Sequence, residues 1–426
     1  MVGERFTNQM GVCLQGTDRI TSLPTELVNK ILTLVPIRDV VRTSALSRKW
    51  RYKWMYIPEI VFDARSIPPS IQEQRNLADS VNHVLSLHYG RLNKFGMSGY
   101  LVSSCNDVDR WILLLCRKSV KMIILDFPQG DRYKVPSSLF SCQKLELLKL
   151  HCSILNLPSH AKCFENLVDL DLCQVTLTNE TIARLMVNCP LQKLILTYCD
   201  GFTRLNICAP NLIIFVLCSP CGSIYFDNTP QLRSANIEML PLVSEASLPD
   251  QITNRLDVRL TGLINVQELY ICKNFMEILA AHVIPERLCF TYHILTTMSL
   301  VMNFANPKQN STALCLFRSS PYLLSLCVTS VSSGQITLLD DDNIWEPIPD
   351  EEIIFARLKN MVLNGFMGSQ HEASFVQFVL RSAVMLHTIR ITWDATVEKG
   401  TKRMDTLEDM MQFCRASPRA RVIFSG

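Results

Sequence analysis

The sequence predicts an α/β chain in which a small helical module precedes a long solenoid built on a parallel sheet. Three observations predict it. A six-residue apolar pattern, Leu-x-x-Leu-x-Leu with conservative replacements, recurs along most of the 426 residues. Its copies lie 20 to 25 residues apart through the clearest stretch, a period that suits one stacked structural unit. Residues 18–64 lack that pattern and show apolar positions at helical, three- and four-residue spacing.

The repeat first appears as Leu92-x-x-Phe95-x-Met97 and Val120-x-x-Ile123-x-Leu125. Three clean copies follow at Leu145–Leu150, Leu167–Leu172 and Leu191–Leu196, then Leu212-x-x-Phe215-x-Leu217 and Leu232-x-x-Ala235-x-Ile237. Wider-spaced copies start at Val266, Leu295 and Leu323. Alternate side chains of a strand point to opposite faces, so the leucines of each copy share one side. One repeat cannot bury them, but a stack of repeats makes a continuous core and a parallel sheet. The period identifies leucine-rich repeats over 65–339, with return segments on the convex side. Helical spacing marks Gln72–Leu87 ahead of the repeats and places returns at Asn179–Asn188 and Ser311–Ser319; residues 238–262 show no readable register.

In the N-terminal module Pro24 suits a first helical turn. Leu27, Val28, Ile31, Leu32 and Val35 form an apolar helix face that Pro36 ends. A second short helix is predicted over Asp39–Ala45. Ser47 is placed as the N-cap of a third, with Trp50 and Trp54 four residues apart on one face. Three such helices make too small a core to stand alone. The apolar surface must be covered by the rest of the chain or by another protein.

Residues 340–352, DDDNIWEPIPDEE, hold seven acids and no base and read as an exposed acidic linker. Beyond it, Leu358-x-x-Met361-x-Leu363 and Leu386-x-x-Ile389-x-Ile391 repeat the strand pattern, with a helix predicted over His371–Arg381 between them.

Composition narrows the function. Hydrophobic residues make up 48% and charged residues 19%, which excludes a largely disordered chain. A net charge of +3 gives no argument for nucleic acid. The N-terminal residues hold no apolar core of a signal peptide, and no apolar run reaches the ~18 residues of a membrane span. A soluble intracellular protein, of nucleus or cytoplasm, is expected, with residues 1–17 as a disordered leader. The 17 cysteines then read as reduced thiols used in packing. The single Cys-x-x-Cys, Cys218 to Cys221, lacks the second pair of a zinc site, so no metal or other cofactor is expected. There is no Gly-x-Ser-x-Gly elbow, no phosphate-binding glycine loop and no His-Glu-x-x-His, so the chain reads as non-catalytic.

The N-terminal module resembles an F-box. The matching residues are Asp18-Arg19-Ile20, Leu23-Pro24, Leu27, Ile31-Leu32, Pro36, Asp39 to Ser44, Leu46-Ser47 and Trp50-Arg51. The C-terminal segment, 353–426, resembles the FBD domain of plant F-box proteins with leucine-rich repeats. Pro285-Glu286-Arg287-Leu288 and Leu316-x-Arg318-Ser319-Ser320-Pro321 are also similar to that family. The resemblance implies a substrate-recognition subunit of a Skp–cullin–F-box ubiquitin ligase. It implies docking of a Skp-type adaptor, and through it a cullin, by Leu23, Pro24, Leu27, Ile31, Leu32, Pro36, Val40, Val41, Leu46, Trp50 and Trp54. A small-molecule receptor and a ligase-independent scaffold are the alternatives. The unknown target protein is expected on the concave face, where charge at Lys149, His151, Asp169 and Asp171 gives way to Ile195, Thr197, Ile214, Val216 and Cys218. An apolar patch on a solvated surface often marks a binding site; a covering loop of the same chain is the alternative.

Overall fold

The computed structural model describes residues 23–63, 71–99, 106–128, 131–159, 163–241, 256–332, 345, 354–397 and 400–425. The N-terminal module holds α1 (Thr25–Thr33) and α2 (Ile37–Arg42), with Pro24 and Pro36 standing just before them as N-caps. The third helix does not form. Ser47 to Ile57 instead runs through turns and the 3-10 segment Lys53–Tyr56, where Trp50 N–H donates to Ser47 O and Lys53 N–H to Trp50 O. These short i to i+3 bonds still turn Trp50 and Trp54 inward together.

The solenoid opens with β1 (Glu59–Phe62), α3 (Ile71–Leu87), β2 (Lys94–Ser98), α4 (Asn106–Arg117) and β3 (Met122–Asp126). Next come β4 (Tyr133–Lys134), β5 (Leu147–His151), β6 (Ser153–Leu155), β7 (Asp169–Cys173), β8 (Thr176–Leu177), α5 (Asn179–Asn188) and β9 (Lys193–Thr197). Then follow β10 (Arg204–Cys208), β11 (Ile214–Pro220), β12 (Ser223–Asp227), β13 (Ser234–Leu240), α6 (Leu256–Leu260), β14 (Glu268–Ile271), α7 (Lys273–Ala280), β15 (Thr297–Met302), α8 (Pro307–Arg318) and β16 (Ser325–Ser330). The chain ends with β17 (Asn360–Phe366), α9 (Gln370–Ser382), β18 (Thr388–Trp393), α10 (Thr401–Met411) and β19 (Arg421–Ser425).

Fourteen strands form one parallel sheet in chain order, from β1 to β19. Every copy of the sequence pattern supplies one of them, so the C-terminal segment continues the same sheet. Two small sheets, β4-β6-β8 and β10-β12, line a second layer. After β5, β7 and β9 the residues Cys152, Gln174 and Tyr198 take a left-handed backbone near φ 51–54°. Each donates its N–H to the neighbouring strand, for example Gln174 to Thr197 O at 2.8 Å. That repeated bond offsets the left-handed cost of ~1–2 kcal/mol per residue.

The thiols mostly pack as expected. Cys199 donates from Sγ to Leu172 O at 3.3 Å, tying one repeat to the one before it, and burial pushes its pKa up to about 12. One pair departs from that reading: Cys116 of α4 and Cys142 are joined in a disulfide, with Cα atoms 4.6 Å apart. Stacking brings the return segments of successive repeats together, which juxtaposes residues 26 apart. The leader 1–17 lies outside the described residues. Of the acidic stretch only Trp345 is described, and it is buried with its ring 4.8 Å from that of Phe375, so the linker is not exposed at that point.

Candidate docking surfaces

The module before the solenoid has two apolar faces. Val28, Leu32, Ile37, Val40, Trp50, Trp54 and Ile57 are buried and continuous with the solenoid core through Ile60 and Phe62. Leu32, Val40, Trp50 and Trp54 were expected on an adaptor surface; the structure instead commits them to their own chain. The physical reason is size, since a module of about forty residues cannot close its own core and shares that of β1. Leu23 and Val41 pack partly against the same core. Pro24 is exposed and Pro36 half-buried.

The other face is open. Leu27 and Ile31 of α1 and Leu34 at its C-cap follow helical spacing and are 48%, 45% and 79% exposed. Val35 and Leu46 are exposed as well. The apolar spacing alone does not single out Leu34, because it stands at the helix C-cap, one residue before Val35.

The concave face is built by the register of the sheet. Ile195 pairs with Val216, Thr197 with Cys218 and Lys193 with Ile214 across β9 and β11. The five expected residues therefore form one contiguous patch, with Ile214 exposed and the other four half-buried. Tyr198 is exposed beside Cys218. Asn236 and Glu238 of β13 and Tyr270 of β14 extend the patch. The alternation rule places these three on the same face, but β13 carries the weakest copy of the pattern. Burial and the neighbouring Glu238 push the Cys218 thiol up to about 11, so it is a poor nucleophile at neutral pH. Cys221 is turned into the core, donating to Ser223 O at 3.2 Å.

On the N-terminal half of this face the charges neutralise one another across strands. Lys149 Nζ stands 2.9 Å from Asp171 and Lys193 Nζ 3.5 Å from Asp169, while His151 Nδ1 makes a hydrogen bond of 2.6 Å with the Asp126 carboxylate. Among the described residues no group of His, Cys, Asp or Glu is arranged to hold a metal ion. No described helix is long and apolar enough to cross a membrane.

A helical module with an open apolar face, seated on a leucine-rich-repeat solenoid, defines an F-box protein of the leucine-rich-repeat class. The family models agree. An F-box domain matches residues 20–58, the leucine-rich repeats of an FBD-associated F-box protein match 108–328, and FBD matches 355–391. The F-box/FBD/LRR-repeat protein At1g13570 of Arabidopsis thaliana is 30% identical over 96% of this chain and 99% of its own length. The FBD-associated F-box protein At4g10400 of the same plant is 25% identical over 95% and 98%. The F-box/FBD/LRR-repeat protein At3g26920 is 24% identical over 97% and 98%. The chain belongs to the F-box/FBD/LRR-repeat protein family.

Proposed function

We propose that this protein is the substrate-recognition subunit of a Skp–cullin–F-box ubiquitin ligase. Its open apolar helix face docks a Skp-type adaptor, and its concave sheet face holds a target protein. The observation that carries the reading is the division of the N-terminal module: one apolar face is spent on the solenoid while Leu27, Ile31 and Leu34 remain exposed. Covering each such side chain is worth ~1.5–3 kcal/mol, enough for three or four to support a specific complex. The buried face fixes the module on the solenoid, so an adaptor bound at α1 stands at a set position relative to the target. The chain itself performs no chemistry in this reading. It raises the effective concentration of a target lysine near the charged ubiquitin carrier. Its place of action is intracellular.

The test is copurification. Leu27→Asp with Ile31→Asp places two charges on the exposed face and should abolish recovery of the Skp-type adaptor. Both side chains are exposed, so the variant should melt as the wild type does. Adaptor recovery equal to wild type would reject the docking face. On the concave side, Ile214→Lys with Val216→Lys should remove target binding without changing melting. A collapse in solubility would show that these side chains serve the core.

A further inference from the structure

The C-terminal half of the concave face carries a charge pattern unlike the N-terminal half. From β1 to β9 its charged side chains are cross-strand paired, as at Glu59 with Lys94 and Lys149 with Asp171. From β13 onward they are not. Glu238 on β13 and Glu268 on β14 point outward with no cation in ion-pair contact among the described residues. Among the described residues Glu268 accepts a hydrogen bond from the Ser234 hydroxyl, at 3.3 Å, and from no other side chain. Glu238 lies against the Cys218 thiol. Arg233, next to Ser234, turns away and donates to Asn265 O at 3.2 Å. Arg390 on β18 and Arg421 on β19 are exposed on the same face and likewise have no acid in contact among the described residues. Asp394 lies just past the end of β18 and is tied to Thr396.

Between these two groups stand β15, β16 and β17. Their outward positions, from Thr297 to Asn364, are Thr, Ser, Val, Cys and Asn, with no charge among them. Strands in a sheet are ~4.8 Å apart, so the acidic pair and the basic pair are separated by ~19 Å at their nearest and ~29 Å at their farthest. The separation exceeds a Debye length of ~8 Å, so the two groups do not neutralise each other through solvent.

We infer that this face selects a target segment carrying a basic group and an acidic group six to nine extended residues apart, at ~3.3 Å per residue. The basic group lies over Glu238 and Glu268, beside Tyr270 and the Val216 patch, and the acidic group lies over Arg390 and Arg421. The neutral band between them accepts the uncharged middle of the segment through its hydroxyl and amide groups. Charge complementarity fixes the direction of the segment along the solenoid and rejects like-charged segments, which is where surface charge contributes most. The inference rests on the proposal that the concave face is the target site, and it adds the chemistry of that target.

The experiment is peptide selection on the full chain bound to its Skp-type adaptor. Displayed random peptides about twelve residues long span the whole ~29 Å. Selected peptides should carry a Lys/Arg cluster and an Asp/Glu cluster at the stated separation. Arg390→Glu with Arg421→Glu should weaken such a peptide by about tenfold or more while leaving melting unchanged. A fresh selection on that variant should return peptides basic at both ends. Failure to enrich any peptide, a selected set without charge separation, or a consensus unmoved by the substitution overturns the inference. Ile214→Lys with Val216→Lys distinguishes the two levels. Peptides lost with that variant but indifferent to the arginine substitutions overturn the charge pattern alone; peptides indifferent to both overturn the concave site itself.

Discussion

The imidazole Nε2 of His88 stands 2.8 Å from the carbonyl oxygen of Ile57, and this contact ties the first long helix of the solenoid to the end of the F-box. Lys118 reinforces it by donating from Nζ to the carbonyl of His88. The junction is therefore a polar knot inside an apolar seam, since His88 is buried while Leu85 and Ile57 belong to the apolar core.

Burial holds the His88 pKa below the usual 6.5; the Ile57 carbonyl opposes this shift, and the Lys118 ammonium adds to it. Its Nδ1 has no hydrogen-bond partner among the described residues, so a second ring proton would be buried without an acceptor. The unfolded chain binds that proton near pH 6.5 and the folded chain does so only at lower pH. The stability contribution is thus complete above about pH 6.5 and declines as pH falls towards the folded pKa. His88→Asn should be less stable than wild type at about pH 8, with the gap narrowing towards about pH 5. A gap in melting temperature that does not change with pH would rule this out.

Gly90 lets the same junction close. Its N–H and that of Tyr89 both donate to Met55 O at 3.0 Å. A Cβ on Gly90 would lie 2.7 Å from Tyr56 Cα and 3.1 Å from its carbonyl carbon, and backbone cannot swing aside as a side-chain tip does. Gly90→Ala should cost ~1–3 kcal/mol, the usual range for overpacking, and lower the melting temperature. Gly400→Ala is the control, because a Cβ there meets nothing within 4 Å. Equal melting of the two variants would show that the F-box is not held rigidly at Gly90.

The sheet was legible because its core demands large apolar residues at fixed alternation. Leu148, Leu170 and Leu194 occupy equivalent registers and are all essentially inaccessible. The convex side was less legible because its elements obey looser rules. Helix α7 is only eight residues long and is capped by the Cys272 thiol, which accepts from Phe275 N–H at 3.4 Å, where the sequence rule looks for Ser, Thr, Asp or Asn. Helix α8 starts at Pro307, earlier than its apolar spacing suggested, because the Asn306 side chain caps it through Lys308 and Gln309. In the F-box the sequence showed which residues are apolar but not which face each would serve. Leu27 and Leu32 belong to the same helix and the same pattern, yet one is exposed and the other buried. The packing of α1 against the 3-10 segment Lys53–Tyr56 decides between them.

The FBD segment closes the solenoid rather than folding beside it. Strand β17 takes the free edge of β16, with Leu326 opposite Met361 and Val328 opposite Leu363. Phe375 of α9 lies 5.2 Å from Phe304 and 6.2 Å from Phe317 of α8, ring to ring, and Phe355 lies 5.2 Å from Phe317. The helix is itself well anchored, since Ser369 and Glu372 form a reciprocal capping box at its start. A chain cut after residue 340 would lose all of these partners at once. It would expose Phe304, Phe317 and the unpaired backbone of β16 together, at ~1.5–3 kcal/mol for each large side chain returned to water. An open parallel edge beside bare aromatic rings is a template for self-association. The 1–340 fragment should therefore aggregate, and adding 341–426 as a separate chain during refolding should restore part of the soluble yield. Size-exclusion chromatography and thermal melting provide the check: a monomeric 1–340 fragment with one cooperative transition would show that the FBD segment is an independent domain.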